Sequence, residues 1–187
     1  ANGYDYSDDF EEDGIDYDGE LSLSTAGILI DWRPFKSTFR ITAGLYNNAN
    51  ELFGLATDNG SETYDIGDEE YRSVIGDPLV IDANIELGKG TAGYLGIGWG
   101  NAAPSGWMFS FELGVLLSGK PEVSIDASGS AIVSVNGISQ QFSISDNSNP
   151  LVQELNENIR IEEANLEDDI SDFEIYPVIT FGVGYRF

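Results

Sequence analysis

The sequence predicts an all-β protein, an antiparallel up-and-down β-barrel that crosses a membrane. Three observations lead there: apolar residues alternate strictly in several separate runs, glycine and charge occupy the opposite face of those runs, and short turns at one end contrast with long acidic connections at the other. The closing run, "FEIYPVITFGVGYRF", shows the first two. Phe173, Ile175, Pro177, Ile179, Phe181, Val183, Tyr185 and Phe187 share one face. Between them lie Glu174, Tyr176, Val178, Thr180, Gly182, Gly184 and Arg186. A period of two marks a strand with one greasy side.

The same pattern recurs upstream. In "ELSLSTAGILIDW", Leu21 and Leu23 read as outward with Ser22 and Ser24 opposite, and the phase then blurs before Ile28 and Ile30. A bulge near Gly27, or one apolar residue turned inward, accounts for that. "STFRITAGLYNN" sets Phe39, Ile41, Ala43 and Leu45 outward, and "TAGYLGIGWG" does the same with Leu95, Ile97 and Trp99. "PLVIDANIEL" alternates from Leu79 to Leu87 and is a candidate extension of that strand across the Gly88–Gly90 break. "GWMFSFELGVLLSG" turns Trp107, Phe109, Phe111, Leu113, Val115 and Leu117 outward. Each clear run suits a tilted strand crossing a bilayer.

"DWRPFKS" and "GNAAPSGW" are short turns with proline, whereas roughly 48–78 and 119–172 are long acidic connections. Within the second, 150–172 reads as a helical loop insertion, with Leu155, Ile159 and Ile161 as its apolar stripe. The chain is expected to be a single barrel domain over 1–187. Small barrels of this kind have about eight strands, and about six are legible here, counting "ANGYDYS". The preferred expectation is that N-terminal strands are lacking before Ala1. The other is that "SVIGDPLVIDANIEL" and "SAIVSVNGISQQFSIS" supply them.

Composition narrows the function. With 33 acidic and 8 basic residues, the net charge of −25 opposes nucleic-acid binding. The absence of Cys and His removes thiolate and imidazole chemistry. No nucleophile elbow and no phosphate loop in a helical context is present, so no enzyme and no cofactor is expected. No apolar run of about 18 residues forms a membrane helix. In a soluble barrel or sandwich, the glycine-rich face would have to be the outside. Small residues suit the inside of a narrow barrel better, with Trp, Phe, Leu and Ile against lipid. Trp32, Phe35, Trp99, Trp107 and Tyr185 gather at one predicted membrane edge, as an aromatic girdle does.

The terminal Phe187, preceded by Tyr185, Val183 and Phe181, resembles the C-terminal signal of bacterial outer-membrane proteins. In those proteins the barrel-assembly machinery recognises that signal. "DYDGELSLSTAGILIDWRPF", "FRITAGLYNN", "WMFSFELGVLLSGKPEVSIDASG" and "LEDDISDFEIYPVITFGVGYRF" resemble a group of small proteobacterial outer-membrane barrels. That group is distantly similar to the carbapenem-associated outer-membrane protein family of Acinetobacter, above all at "YLGIGWG" and "GKPEVS". The resemblance implies a Gram-negative, porin-like barrel in the outer membrane with its long loops extracellular. Outer-membrane lipids, lipopolysaccharide and the assembly machinery are then its expected partners.

Two constellations remain. Alternation turns Arg40, Glu112, Glu174 and Arg186 into the barrel, as a salt-bridged plug or a charged constriction. The acidic stretches, nine acidic residues in 1–20 and "DNGSETYDIGDEE" further on, read as a solvated rim. Asp58, Glu62 and Asp65 are weak candidates for a divalent-cation site, without EF-hand spacing. The functional expectation is a small passive channel or uptake barrel for small cationic solutes. The alternative is a non-conducting barrel whose acidic loops bind a partner, divalent cations or other copies of itself.

Overall fold

The computed structural model describes residues 2–12, 14–34, 38–88, 90–100 and 105–187. The alternating runs become strands of a meander. Its elements are β1 (Asn2–Glu12), β2 (Ile15–Trp32), β3 (Phe39–Asn48), β4 (Glu51–Thr57), β7 (Val80–Glu86), β8 (Gly90–Gly100), β9 (Gly106–Leu117), β10 (Glu122–Ser128) and β13 (Ile175–Arg186). The strands β5 (Thr63–Ile66), β6 (Glu69–Ser73), β11 (Ser130–Val135) and β12 (Ile138–Ser143) form a second sheet, beside the helix α1 (Pro150–Asp169).

Several strands are halves of one long stave. β2 pairs with β3 down to Thr25↔Asn48 and continues with β4 from Ser22↔Glu51, in unbroken register. β7–β8 and β9–β10 are likewise halves of one stave, but their register shifts between the halves. The large sheet is therefore six antiparallel staves in chain order: β1, β2, β3–β4, β7–β8, β9–β10 and β13. β1 pairs only with β2, and β13 only with β9, so the two outer edges are not joined among the described residues.

The apolar face changes sides partway along the staves. In the half near the short turns, Ile28, Ile30, Leu45, Leu95, Phe109, Ile179, Phe181 and Val183 all point outward and are more than half exposed. In the other half most apolar side chains point inward, among them Ile15, Tyr17, Leu21, Ile81 and Ile85, while Asp16, Asp18 and Glu20 of β2 face out beside Phe53 and Leu55 of β4. Along β7–β8 one extra residue makes the switch. β3–β8 pairing ends at Asn48↔Gly90 and β4–β7 pairing begins at Glu51↔Glu86, three steps on one stave against four on the other. A one-residue offset exchanges the faces of a strand. Gly88, at φ +73°, makes that bend.

This switch corrects one expectation and qualifies another. β2 carries no bulge at Gly27, and its constant register puts Leu21 and Leu23 on the inner face with Leu29, while Ser22 and Ser24 face out. "PLVIDANIEL" does extend the β8 strand across the Gly88–Gly90 break, and its odd phase faces the interior. In both places the stave has left the apolar zone, so greasy side chains gain by turning in. The acidic start of the chain is also a strand hairpin, β1–β2, paired from Asn2↔Thr25 to Glu12↔Ile15.

The long connections fold rather than loop. β5, β6, β11, β12 and α1 form a head whose core joins Tyr64, Ile66, Tyr71, Ala131, Val133 and Phe142 to Val152, Leu155 and Ile159 of the helix. "SAIVSVNGISQQFSIS" belongs here as the β11–β12 hairpin, turned at Asn136 and Gly137 with φ of 53° and 77°. On α1 the buried face runs through Val152, Leu155 and Ile159, the 3–4 spacing of a helix, and Ile161 is 40% exposed, off that stripe. The helix also covers the edge of β10. Glu167 Oε1 accepts from the Val123 N–H at 3.1 Å, and Glu163 Oε1 from the Ile125 N–H at 2.8 Å. Those donors would otherwise be an unpaired sheet edge.

Asp58 anchors the passage from β4 into the head. Its Oδ2 accepts the backbone N–H groups of Gly60, Ser61 and Glu62, each at 2.9 Å, and its Oδ1 accepts the Ser73 hydroxyl at 2.7 Å. Ser73 in turn accepts from the Leu79 N–H at 2.8 Å. Burial raises the Asp58 pKa, but these four hydrogen bonds outweigh it and hold the carboxyl below its ordinary 3.8. A depressed folded-state value contributes stability above the unfolded value of about 3.9 and loses it as pH falls through the folded value. Asp58→Ala should therefore lower head stability at pH 7, with the difference from wild type shrinking on acidification below about pH 4. Limited proteolysis of 58–79 as a function of pH reads this directly.

Candidate functional site

At the level of the apolar belt the inner face carries a closed polar network. Arg40 of β3 reaches across β8 to Glu112 of β9, with its Nε 2.8 Å from Glu112 Oε2 and a terminal nitrogen at 2.6 Å. The Tyr94 hydroxyl donates to Glu112 Oε1 at 2.7 Å. The Thr42 hydroxyl lies 2.9 Å from both Glu112 Oε2 and Asp31 Oδ1, and Asp31 is also 3.6 Å from Arg40 Nε. Glu112 is 5% exposed and Thr42 1%. A carboxylate this buried is tolerable because each oxygen has a donor.

Glycine makes the room. Gly98 of β8 lies under the ion pair, and a Cβ there would sit 3.0 Å from Arg40 Nε and 3.1 Å from Glu112 Oε2. Gly96 lies under the Tyr94 ring, where a Cβ would be 2.7 Å from the phenol oxygen. Next to the network, Tyr46 meets Tyr94 edge-on at 5.7 Å, and Ala92, Leu116, Tyr176 and Val178 complete an aromatic and apolar layer. The two carboxylates and two hydroxyls of this arrangement are spent on one another and on Arg40. The arrangement can hold staves together and fill the space between them.

The four charges expected inside do not meet as one ring. Arg40 and Glu112 pair. Thr180 is the residue opposite Glu112 on β13, so Arg186 lies six residues along, about 20 Å at strand rise, and is exposed. Glu174 precedes β13 in a short 3₁₀ turn, where its carbonyl accepts from the Ser118 N–H at 3.0 Å. Asp31, Thr42 and Tyr94 were not singled out from the sequence. Each falls on the inward phase of its run, yet only the register across three staves brings them to Glu112.

The aromatic residues assemble on the outer face. Phe39, Trp99, Phe111 and Phe181 stand in register on four adjacent staves, with ring centroids 5.7, 6.4 and 5.1 Å apart. Trp107 meets Tyr185 at 5.3 Å, and Tyr185 meets Phe187 at 5.1 Å. Trp32 is 63% exposed at the end of β2, and Phe187 is fully exposed. Phe35 lies outside the described residues. Of the weak cation candidates, Asp58 is committed to its N–H and O–H donors, and Asp65 stands opposite Glu70 in the β5–β6 hairpin. Among the described residues no group of three or more acidic side chains is arranged to hold a metal ion.

Up-and-down staves, an apolar and aromatic outer belt and a polar inner network define the class: an all-β fold of the up-and-down barrel type. No protein-family model matches the chain, and no curated protein matches it significantly. Among solved structures, CarO of Acinetobacter baumannii superposes with a TM-score of 0.52 at 19% identity, over 100% of this chain and 83% of that one. CarO2 of the same organism gives 0.48 at 20% identity, over 100% and 84%. The chain is thus distantly similar to CarO, and at this identity the likeness is one of fold.

Removing Arg40 strands a buried carboxylate. Arg40→Ala should cost about 3–5 kcal/mol, seen as a lower urea midpoint for loss of the folded gel form. Arg40→Leu with Glu112→Leu should recover most of that loss. Gly98→Val should destabilise by separating the pair without touching either charge.

Proposed function

We propose that the protein is an integral barrel of the bacterial outer membrane, non-conducting at membrane level, whose folded extracellular head is its working part. The observation that supports this is the Arg40–Glu112–Tyr94–Thr42 network, in which the buried charges at mid-belt pair with each other across the interior instead of lining a water path. The outward aromatic belt meets outer-membrane lipid, with lipopolysaccharide on the head side. The end of β13, through Phe181, Val183, Tyr185 and Phe187, is the surface offered to the barrel-assembly machinery. In a bilayer the outer edges of β1 and β13 must be paired, since an unpaired backbone group there costs several kcal/mol, on the order of one lost hydrogen bond in hydrocarbon.

A second reading, a small passive or uptake channel for cationic solutes, has one feature in its favour. Glu62, Asp65 and Glu162 stand around a cleft at the head end, where they would concentrate cations. Self-association and divalent-cation binding by the head remain compatible with either reading.

Protein extracted from outer-membrane fractions should migrate faster unboiled than boiled, the behaviour of a detergent-resistant barrel. In planar bilayers it should give no stepwise conductance, whereas Arg40→Ala with Glu112→Ala should. Regular channels from the wild-type protein would decide for the second reading. An absent gel shift together with solubility without detergent would sink both.

A further inference from the structure

Above the polar network, the inner face of the sheet contains a trough that no side chain fills. Gly19, Gly54 and Ala83 stand side by side on β2, β4 and β7, in register. A Cβ on Gly54 would meet no atom within 4 Å, although its backbone is ordinary strand. Leu52 and Phe10 beside it are 38% and 56% exposed, so the row of small residues is the floor of an open apolar groove that a ligand can enter. The trough holds about 390 Å³ and is walled by Leu52, Ile81, Ile85 and the stacked pair Phe10–Tyr17, whose rings are 5.1 Å apart and 14° from parallel.

The trough shares Tyr17, Ala56 and Ile81 with a second cleft of about 570 Å³, which Leu166 of α1 and the β5 hairpin border. Three carboxylates, Glu62, Asp65 and Glu162, line this second cleft. Among the described residues neither cleft is lined by Lys or Arg. Volumes of this size suit a small molecule. An apolar wall with a single-sign acidic mouth selects its charge, and an aromatic pair beside it adds affinity for cationic or aryl groups.

We propose that this cavity binds a small organic cation with an apolar body, its ammonium group against Glu62 and Glu162 and its hydrocarbon or aryl part in the trough over Gly54. The inference rests on the sealed-barrel reading above, because a cavity closed toward the membrane-level network retains a ligand rather than passing it. The occupant is a small amphipathic amine and not a neutral lipid, since only a cation gains from the carboxylate mouth.

The test uses the whole protein in lipid nanodiscs and three near-isosteric probes: 4-phenylbutylammonium, 4-phenylbutanol and 4-phenylbutyrate. Binding is read by calorimetry, with empty nanodiscs subtracted. The ammonium probe should bind saturably and at least about tenfold tighter than the alcohol, with the carboxylate weakest. Glu62→Gln with Glu162→Gln should abolish that preference while leaving the alcohol unaffected, and Gly54→Leu should remove binding of both. Equal affinity for ammonium and alcohol, or indifference to Gly54→Leu, would overturn the proposal, as would no saturable binding at all. The gel shift and conductance are recorded on the same preparation. An intact, silent barrel that binds no probe therefore rejects only the cavity, whereas a conducting one rejects the sealed barrel beneath it.

Discussion

The constraint on which this structure depends is that one set of staves turns its apolar face outward in one half and inward, toward the head, in the other. A strand presents its side chains alternately to either face, with no intermediate choice. Where the outside is lipid, apolar residues must point out. Where the outside is water, they must point in, toward the head. A regular strand cannot do both with one pattern. β7–β8 resolves the conflict with an inserted residue at a glycine bend, and β9–β10 resolves it over residues 118–121. β2 resolves it without any irregularity, by moving its apolar residues from even positions to odd ones. The face inversion locates the boundary of the apolar belt more sharply than any hydropathy window.

Inside the belt the problem is volume. Neighbouring staves lie close together, and side chains from both compete for the same interior. Glycine on β8 and β9 yields that space to a few large groups. Tyr94 and the Arg40–Glu112 pair then span neighbouring staves and take the place of many small contacts. An ion pair buried in this way adds little net stability compared with an apolar filling of the same shape. Its value is specificity, since a shifted register would leave Glu112 without Arg40, Tyr94 and Thr42 together.

Outside the belt the head supplies what the sheet lacks. β10 has no strand beyond it where β13 begins, and α1 stands there instead, satisfying alternate N–H groups with Glu163 and Glu167. Helix, second sheet and inner face of the staves share one apolar core, so the head is continuous with the barrel wall through Ile15, Tyr17 and Ile81. Acidic residues on the outer surface keep this half in water. The same charge at the mouth gives the interior cavity its sign.

Alternation, a property of neighbouring residues, was sufficient to determine the all-β class, the apolar outer belt, the aromatic edge near the short turns, and the inward phase of Arg40 and Glu112. The helix was legible as well, because 3.6-residue periodicity is local. Only the tertiary structure decided which inward residues meet. Thr42 and Tyr94 come to Glu112, and Asp31 to Thr42, through bonds that link residues 11 to 70 positions apart, and Arg186 does not join them, although its phase is identical. The sides of Leu21, Leu23 and "PLVIDANIEL" were likewise undecidable locally. An apolar residue reads the same whether its far side is lipid or a folded head, and only the register of the neighbouring stave distinguishes the two.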